Sequence, residues 1–206
     1  MSNDAKGAGT NLKQKAARIG LLGGSFDPVH LGHMFVAQTA REELNLDRLF
    51  FIPAAQSPFK PDRQAAPANE RLRLLRLALA GKPWCGIDEQ ELRRGGVSYT
   101  IETARDYARR FPQAELFYLI GTDHVGQLGH WREAEELAAL LQFVVIPRPG
   151  EAAAEFPSPF RGQTLAGFPL AISSSQIRAR IKSGAEIEHL VPSAVAEAIR
   201  NNRLYL

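Results

Sequence analysis

The chain has 206 residues, with 25 Lys and Arg against 22 Asp and Glu and a hydrophobic share of 45%. That length suffices for one domain with a full core, and the composition excludes a disordered or fibrous chain. A formal charge of +3 suits phosphate-bearing ligands without arguing for nucleic acid, and the single cysteine, Cys85, excludes an intrachain disulfide.

Residues 1–17 carry few apolar side chains and read as a disordered tail, which leaves 18–206 as one domain. There is no apolar signal core and no apolar run long enough for a bilayer, so the chain reads as cytoplasmic with no membrane partner. Ile19–Leu22 reads as a buried strand stopped by Gly23-Gly24, and Leu31–Leu44 as a helix. Leu49–Ile52 is a second strand, stopped by Pro53, and Ala54–Ala68 a proline-rich surface loop. Asn69 is a candidate N-cap for a helix that Gly81 ends. Cys85 lies in a strand-like apolar stretch and reads as an inert thiol. A helix over Tyr99–Arg110, a strand at Leu116–Ile120, a helix over Glu133–Leu141 and a strand at Phe143–Ile146 follow, and Pro149–Pro169 reads as irregular. Strands apolar on both faces, alternating with helices, predict an α/β fold: a doubly wound, Rossmann-like parallel sheet with helices on both faces. Ligands of such sheets bind at the carboxyl ends of the strands, where strand order reverses. The loops after Leu22, Ile52 and Ile120 are therefore the places to search.

The first of these loops reads Gly23-Gly24-Ser25-Phe26-Asp27-Pro28-Val29-His30-Leu31-Gly32-His33. Paired glycines let a backbone turn tightly against a phosphate. His30 and His33, three apart at a helix start, project towards one volume, beside N–H groups that have no partner within the helix. Two imidazoles at a helix N-terminus can receive charge that grows on a phosphate during reaction. Two local ligands do not make a zinc site, so no metal site is expected. Near the other end, Ile172-Ser173-Ser174-Ser175-Gln176-Ile177-Arg178 pairs an N-cap signal with an arginine fork one turn later, suited to outer phosphates.

The first string closely resembles the signature of the nucleotidyltransferase superfamily with the His-x-Gly-His motif, in the form found in nicotinate mononucleotide adenylyltransferases. The resemblance covers about residues 18–206. It implies transfer of the adenylyl group of ATP, with Mg²⁺, to nicotinate mononucleotide, giving deamido-NAD and pyrophosphate. It implies His30, His33 and Arg178 as catalytic residues. For ATP it implies Gly23, Gly24, Ser25, Phe26 and His33, then Gly121 and Asp123 at the ribose, and Ile172, Ser173, Ser174, Ser175 and Arg178 at the phosphates. For the acceptor it implies Asp27, Lys60, the Ser98-Tyr99-Thr100 turn, Trp131 stacking on the pyridine ring, and Arg132 at the carboxylate. Where the family has Pro-Pro-His-Lys this chain has Ser57-Pro58-Phe59-Lys60, so the histidine is replaced by Phe59. Arg71, the Arg148-Pro149-Gly150 turn and the stretch from Leu190 to Tyr205 also fit the family's pattern. Other readings keep the chemistry with nicotinamide mononucleotide or another phosphate acceptor, or make the chain a nucleotide-binding regulator without catalysis. The oligomeric state stays open, a homo-oligomer included.

Overall fold

The computed structural model describes residues 16–58, 65–147, 155–167 and 170–206. Residues 1–15 of the expected tail, Phe59, Lys60 and the Arg148-Pro149-Gly150 turn lie outside the described residues. Six strands form one parallel sheet: β1 (Arg18–Gly24), β2 (Arg48–Pro53), β3 (Cys85–Ile87), β4 (Glu115–Gly121), β5 (Gln142–Ile146) and β6 (Gly162–Thr164). Their order across the sheet is β3-β2-β1-β4-β5-β6. Leu21 of β1 stands opposite Phe50 of β2 on one side and Tyr118 of β4 on the other.

Alternate strand residues point to opposite faces, so a strand apolar throughout needs cover on both. Leu22, Phe51, Leu119 and Val144 pack against α1 (Leu31–Glu43), α2 (Ala68–Leu79), α6 (Ser174–Lys182) and α7 (Ser193–Asn201). Leu21, Ile52, Tyr118 and Val145 pack against α4 (Thr100–Arg110), α5 (Ala134–Leu140) and a 3-10 helix over Thr122–His130. A short α3 (Gln90–Arg94) precedes α4. The doubly wound sheet expected from the pattern is thus present. No helix among the described residues is long and apolar enough to cross a membrane.

Local differences have local causes. Asn69 does not cap α2; the helix begins at Ala68 with Pro67 before it, whose fixed φ of −48° suits a helix entrance. The 3-10 helix has two glycines and little propensity of its own, and is held by burying Val125 and Leu128. Part of the stretch expected to be irregular forms β6, which pairs with β5 through backbone, all three of its residues being exposed. Cys85 is half-buried, and burial pushes its thiol up to about 11 against the pull of Lys82 and Arg41, in keeping with an inert role.

Candidate active site

Strand order reverses between β1 and β4, so the chain leaves these neighbours in opposite directions and a crevice opens at their carboxyl ends. A cleft of about 970 Å³ occupies it, at the upper end of the range for small-ligand sites. Its walls include Gly23, Gly24 and Ser25 from β1 and its loop, His30 and His33 from the start of α1, and Gly121 from the end of β4. Ile172 and Ser173–Ser175, at the start of α6, line the same cleft.

The two imidazoles stack face to face, their centroids 3.7 Å apart with 29° between planes. His33 Nδ1 accepts the backbone N–H of His30 at 3.2 Å. Neutral His33 therefore carries its proton on Nε2 and offers a donor there. Phe26 supports the ring from the side, edge-on at 5.0 Å. Gly32 makes the stack possible, because a Cβ there would lie 3.0 Å from the His30 ring. His30 is buried, and its Nδ1 has no hydrogen-bond partner among the described residues.

Burial lowers His30 to about 4, and burial together with His30 holds His33 well below the ordinary histidine range. Both rings are neutral at pH 7, and a bound polyanion shifts them back towards the charged form. Between about pH 6.5 and 4 the unfolded chain accepts a proton at residue 30 that the folded protein refuses. The contribution is complete above about pH 6.5 and lost as pH falls to about 4, roughly 3 kcal/mol in all. Denaturant titrations of wild type and His30→Gln should converge as the pH is lowered, the wild type losing the more stability. Parallel curves across that range would remove His30 as the titrating group.

At the start of α6, Ser173 is the N-cap: its hydroxyl oxygen accepts from Gln176 N–H at 3.2 Å, and Gln176 Oε1 accepts from Ser173 N–H at 2.9 Å. Such a cap contributes about 1 kcal/mol. It fixes the helix end while the first-turn N–H groups of Ser174 and Ser175 have no partner within the helix. Ser174 donates to the Pro28 carbonyl at 2.9 Å. Arg178 donates to the Asp27 carbonyl at 2.6 Å and to Ser175 Oγ at 3.1 Å, with its guanidinium 3.7 Å from Asp27 Oδ2. The early glycine–histidine loop and the late serine–arginine cap are therefore stitched together. Phe26 and Asp27 are buried, and neither lines the cleft. Phe26 backs His33, and Asp27 anchors the loop by accepting from Ala66 N–H at 3.1 Å. Arg178 also stands behind the wall, holding the loop.

At the acceptor end, Ser98, Thr100 and Trp131 line the cleft. Trp131 meets Tyr118, Phe143 and His124 edge-on at 6.0–6.3 Å, contacts that fix the plane of its ring. Ser98 is committed elsewhere: its oxygen accepts from Ala55 N–H at 3.0 Å, and its hydroxyl hydrogen-bonds Glu91. The donors that α4 can offer a ligand carboxylate are then the N–H groups of its first turn and the Thr100 hydroxyl, which here donates to the Tyr118 hydroxyl at 3.4 Å and would turn to the ligand. Tyr99 and Arg132 lie outside the cleft wall, with the guanidinium 4.8 Å over the Tyr99 ring and 3.7 Å from Glu102 and Glu133 carboxylates. Asp123 is exposed in the first turn of the 3-10 helix, off the cleft wall. Lys60 lies outside the described residues.

A glycine–histidine loop on a Rossmann-like sheet, facing a serine-capped helix across the strand-order reversal, is a nucleotidyltransferase arrangement. Residues 21–180 match the cytidylyltransferase-like family model. The chain belongs to that family. A protein from Opitutus terrae described as a probable nicotinate-nucleotide adenylyltransferase is 42% identical over 191 residues, 91% of this chain and 97% of its own length. A relative of the same description from Thermus thermophilus is 42% identical over 188 residues, covering 91% and 99% of the two chains. Among solved structures, the Plasmodium falciparum nicotinic acid mononucleotide adenylyltransferase complexed with NaAD superposes with a TM-score of 0.75 at 17% identity, over 92% of this chain and 97% of that one. That likeness confirms the fold.

Within this family frame, several cleft residues carry no motif of their own. Tyr118 lies in β4, where sequence shows only an apolar run; its hydroxyl comes within 2.5 Å of where a Cβ on Gly23 would sit. Burial raises its pKa, so it stays a neutral phenol. Arg71 is buried and donates to the carbonyls of Ser25 at 2.8 Å, Ala54 at 2.9 Å and Ala66 at 3.1 Å. The resemblance already pointed to Arg71, and a charged residue on the apolar face of α2 is a second signal, since a buried arginine needs acceptors. His124 and Glu91 also line the cleft, and nothing in their spacing marks them.

Proposed function

We propose that the protein transfers the adenylyl group of ATP to nicotinate mononucleotide, forming deamido-NAD and pyrophosphate in NAD biosynthesis. The observation that carries this reading is the junction of two segments about 150 residues apart in one cleft, through Arg178 to Asp27 and Ser174 to Pro28. An oxygen of the acceptor's phosphate attacks the α-phosphorus of ATP, and the bond to the bridging oxygen breaks with its electron pair leaving on pyrophosphate. The acceptor supplies the nucleophile, so no enzyme base is assigned.

His33 Nε2–H and the start of α1 face the α-phosphate, where charge grows most. The hydroxyls and N–H groups at the start of α6 receive the outer phosphates, and Gly23, Gly24 and Ser25 let the triphosphate approach the backbone. Gly121 and Asp123 serve the ribose, Asp123 by turning in from the 3-10 helix. Mg²⁺ would arrive with ATP as the counter-ion of its phosphates. There it would offset the repulsion between two polyanions.

Trp131 stacks on the pyridinium ring, and Thr100 with the first N–H groups of α4 takes the carboxylate, with Arg132 and Lys60 adding positive charge. A nicotinamide NH₂ meets donors there and leaves its own hydrogens unpaired, a loss of about 1–3 kcal/mol. Purified protein with Mg-ATP is expected to release pyrophosphate with nicotinate mononucleotide and about tenfold or more slowly with the amide. ATP binding without release from any acceptor would overturn the reading in favour of a nucleotide-binding regulator.

A further inference from the structure

Glu91 is a buried carboxylate in the cleft that the reaction just described does not use. It sits in the first turn of α3, 5% exposed, and lines the acceptor end beside Ser98 and Thr100. Thr103, on the first turns of α4, donates its hydroxyl to Glu91 Oε1 at 2.7 Å, and the Ser98 hydroxyl bonds the same carboxylate. Ser98 in turn accepts Ala55 N–H at 3.0 Å and gives its own N–H to the Gln56 carbonyl at 2.9 Å. One side chain therefore joins the exit of β2, the turn before α4 and α4 itself.

A carboxylate taken from water is costly unless its oxygens are well bonded. Here burial raises its pKa, the two hydroxyls and nearby Arg94 oppose that, and Asp88 adds to it. The bonds that compensate it run to the segment whose far side faces the cleft. Thr100 and the opening N–H groups of α4 follow Ser98 by two residues. A shift of the turn would displace them all together.

We propose that Glu91 is a positioning residue for the acceptor: through Ser98 and Thr103 it holds the turn from which Thr100 and the first N–H groups of α4 face the ligand. The proposal rests on the nicotinate mononucleotide reading, and its effect is confined to one substrate. The phosphate end of the cleft is built on α1 and α6, which Glu91 does not touch.

The test is steady-state kinetics on Glu91→Ala, Glu91→Gln and Ser98→Ala with each substrate varied in turn. Glu91→Ala is expected to raise KM for nicotinate mononucleotide by about tenfold or more while KM for ATP stays within about twofold. Glu91→Gln, which keeps an acceptor for Thr103 but faces Ser98 with a donor, should fall between wild type and alanine. Combining Glu91→Ala with Ser98→Ala should add less than the sum of the two, because both cut the same linkage. Equal rises in both KM values, or an unchanged acceptor KM alongside a lowered melting temperature, would show a merely structural role. Should Glu91→Ala fail to fold, Glu91→Gln and Ser98→Ala carry the comparison by themselves. Wild-type turnover with nicotinate mononucleotide separates the two claims. If it is absent the functional reading fails; if it is present and the acceptor KM does not respond, only the role of Glu91 does.

Discussion

Replacing His33 by alanine is expected to lower turnover by about 100- to 1,000-fold, the usual effect of removing one donor aimed at developing charge. The geometry specifies which atom is lost. His33 Nδ1 is occupied by His30 N–H at 3.2 Å, so catalysis depends on the other nitrogen. The low-dielectric surroundings that hold the ring neutral also strengthen any hydrogen bond it makes to a phosphate oxygen. The fold should survive, since the ring is half-buried and the loop keeps its bonds to Arg178 and Ser174. Circular dichroism with single-turnover kinetics would check both halves. His33→Gln should regain part of the rate if it is the donor that matters. A near-normal rate in the alanine variant would remove this histidine from the mechanism.

Arg178→Ala should be the more damaging change to the protein as a whole. Its guanidinium holds the Asp27 carbonyl at 2.6 Å, approaches the Asp27 carboxylate at 3.7 Å and bonds Ser175 at 3.1 Å. Asp27 is 1% exposed. Stripping a buried carboxylate of a cationic neighbour costs about 3–5 kcal/mol where no other group compensates; with Arg71 close to the same cluster, about 2–3 kcal/mol is the expectation. Activity should fall further than stability, because the loop carrying His30 is left with only the Ser174–Pro28 bond to α6. Arg178→Lys keeps the charge but not the two-pronged reach, and should recover stability more than rate. Chemical denaturation alongside kcat gives the measurement. A fully active Arg178→Ala protein would mean that the Ser174–Pro28 bond suffices to hold the loop.

The sheet was legible because strands buried on both faces show as uninterrupted apolar runs, Leu49–Ile52 and Leu116–Ile120 among them. The phosphate end was legible because it is built from contiguous strings, Gly23–His33 and Ile172–Arg178. What escaped is built across the chain. Tyr118 is indistinguishable in sequence from its apolar neighbours, and only the register against β1 brings its hydroxyl under Gly23. Glu91 becomes a cleft residue through the packing of α3 against α4 and the exit of β2. Phe26 and Asp27 sit inside a motif whose side chains serve two masters, some facing the cleft and these two locking the loop from behind. A short string marks where a site lies but does not say which of its side chains turn inward.

The contact between Gly23 and Tyr118 couples two positions on neighbouring strands. A methyl at residue 23 would meet the phenol oxygen at 2.5 Å but the ring carbon that bears it at 3.4 Å. Alanine at residue 23 is thus expected to cost less beside phenylalanine than beside tyrosine at residue 118. That exchange would give up a hydroxyl at the point where the sheet divides. The first glycine of the loop is constrained from the neighbouring strand as well as by the turn it makes.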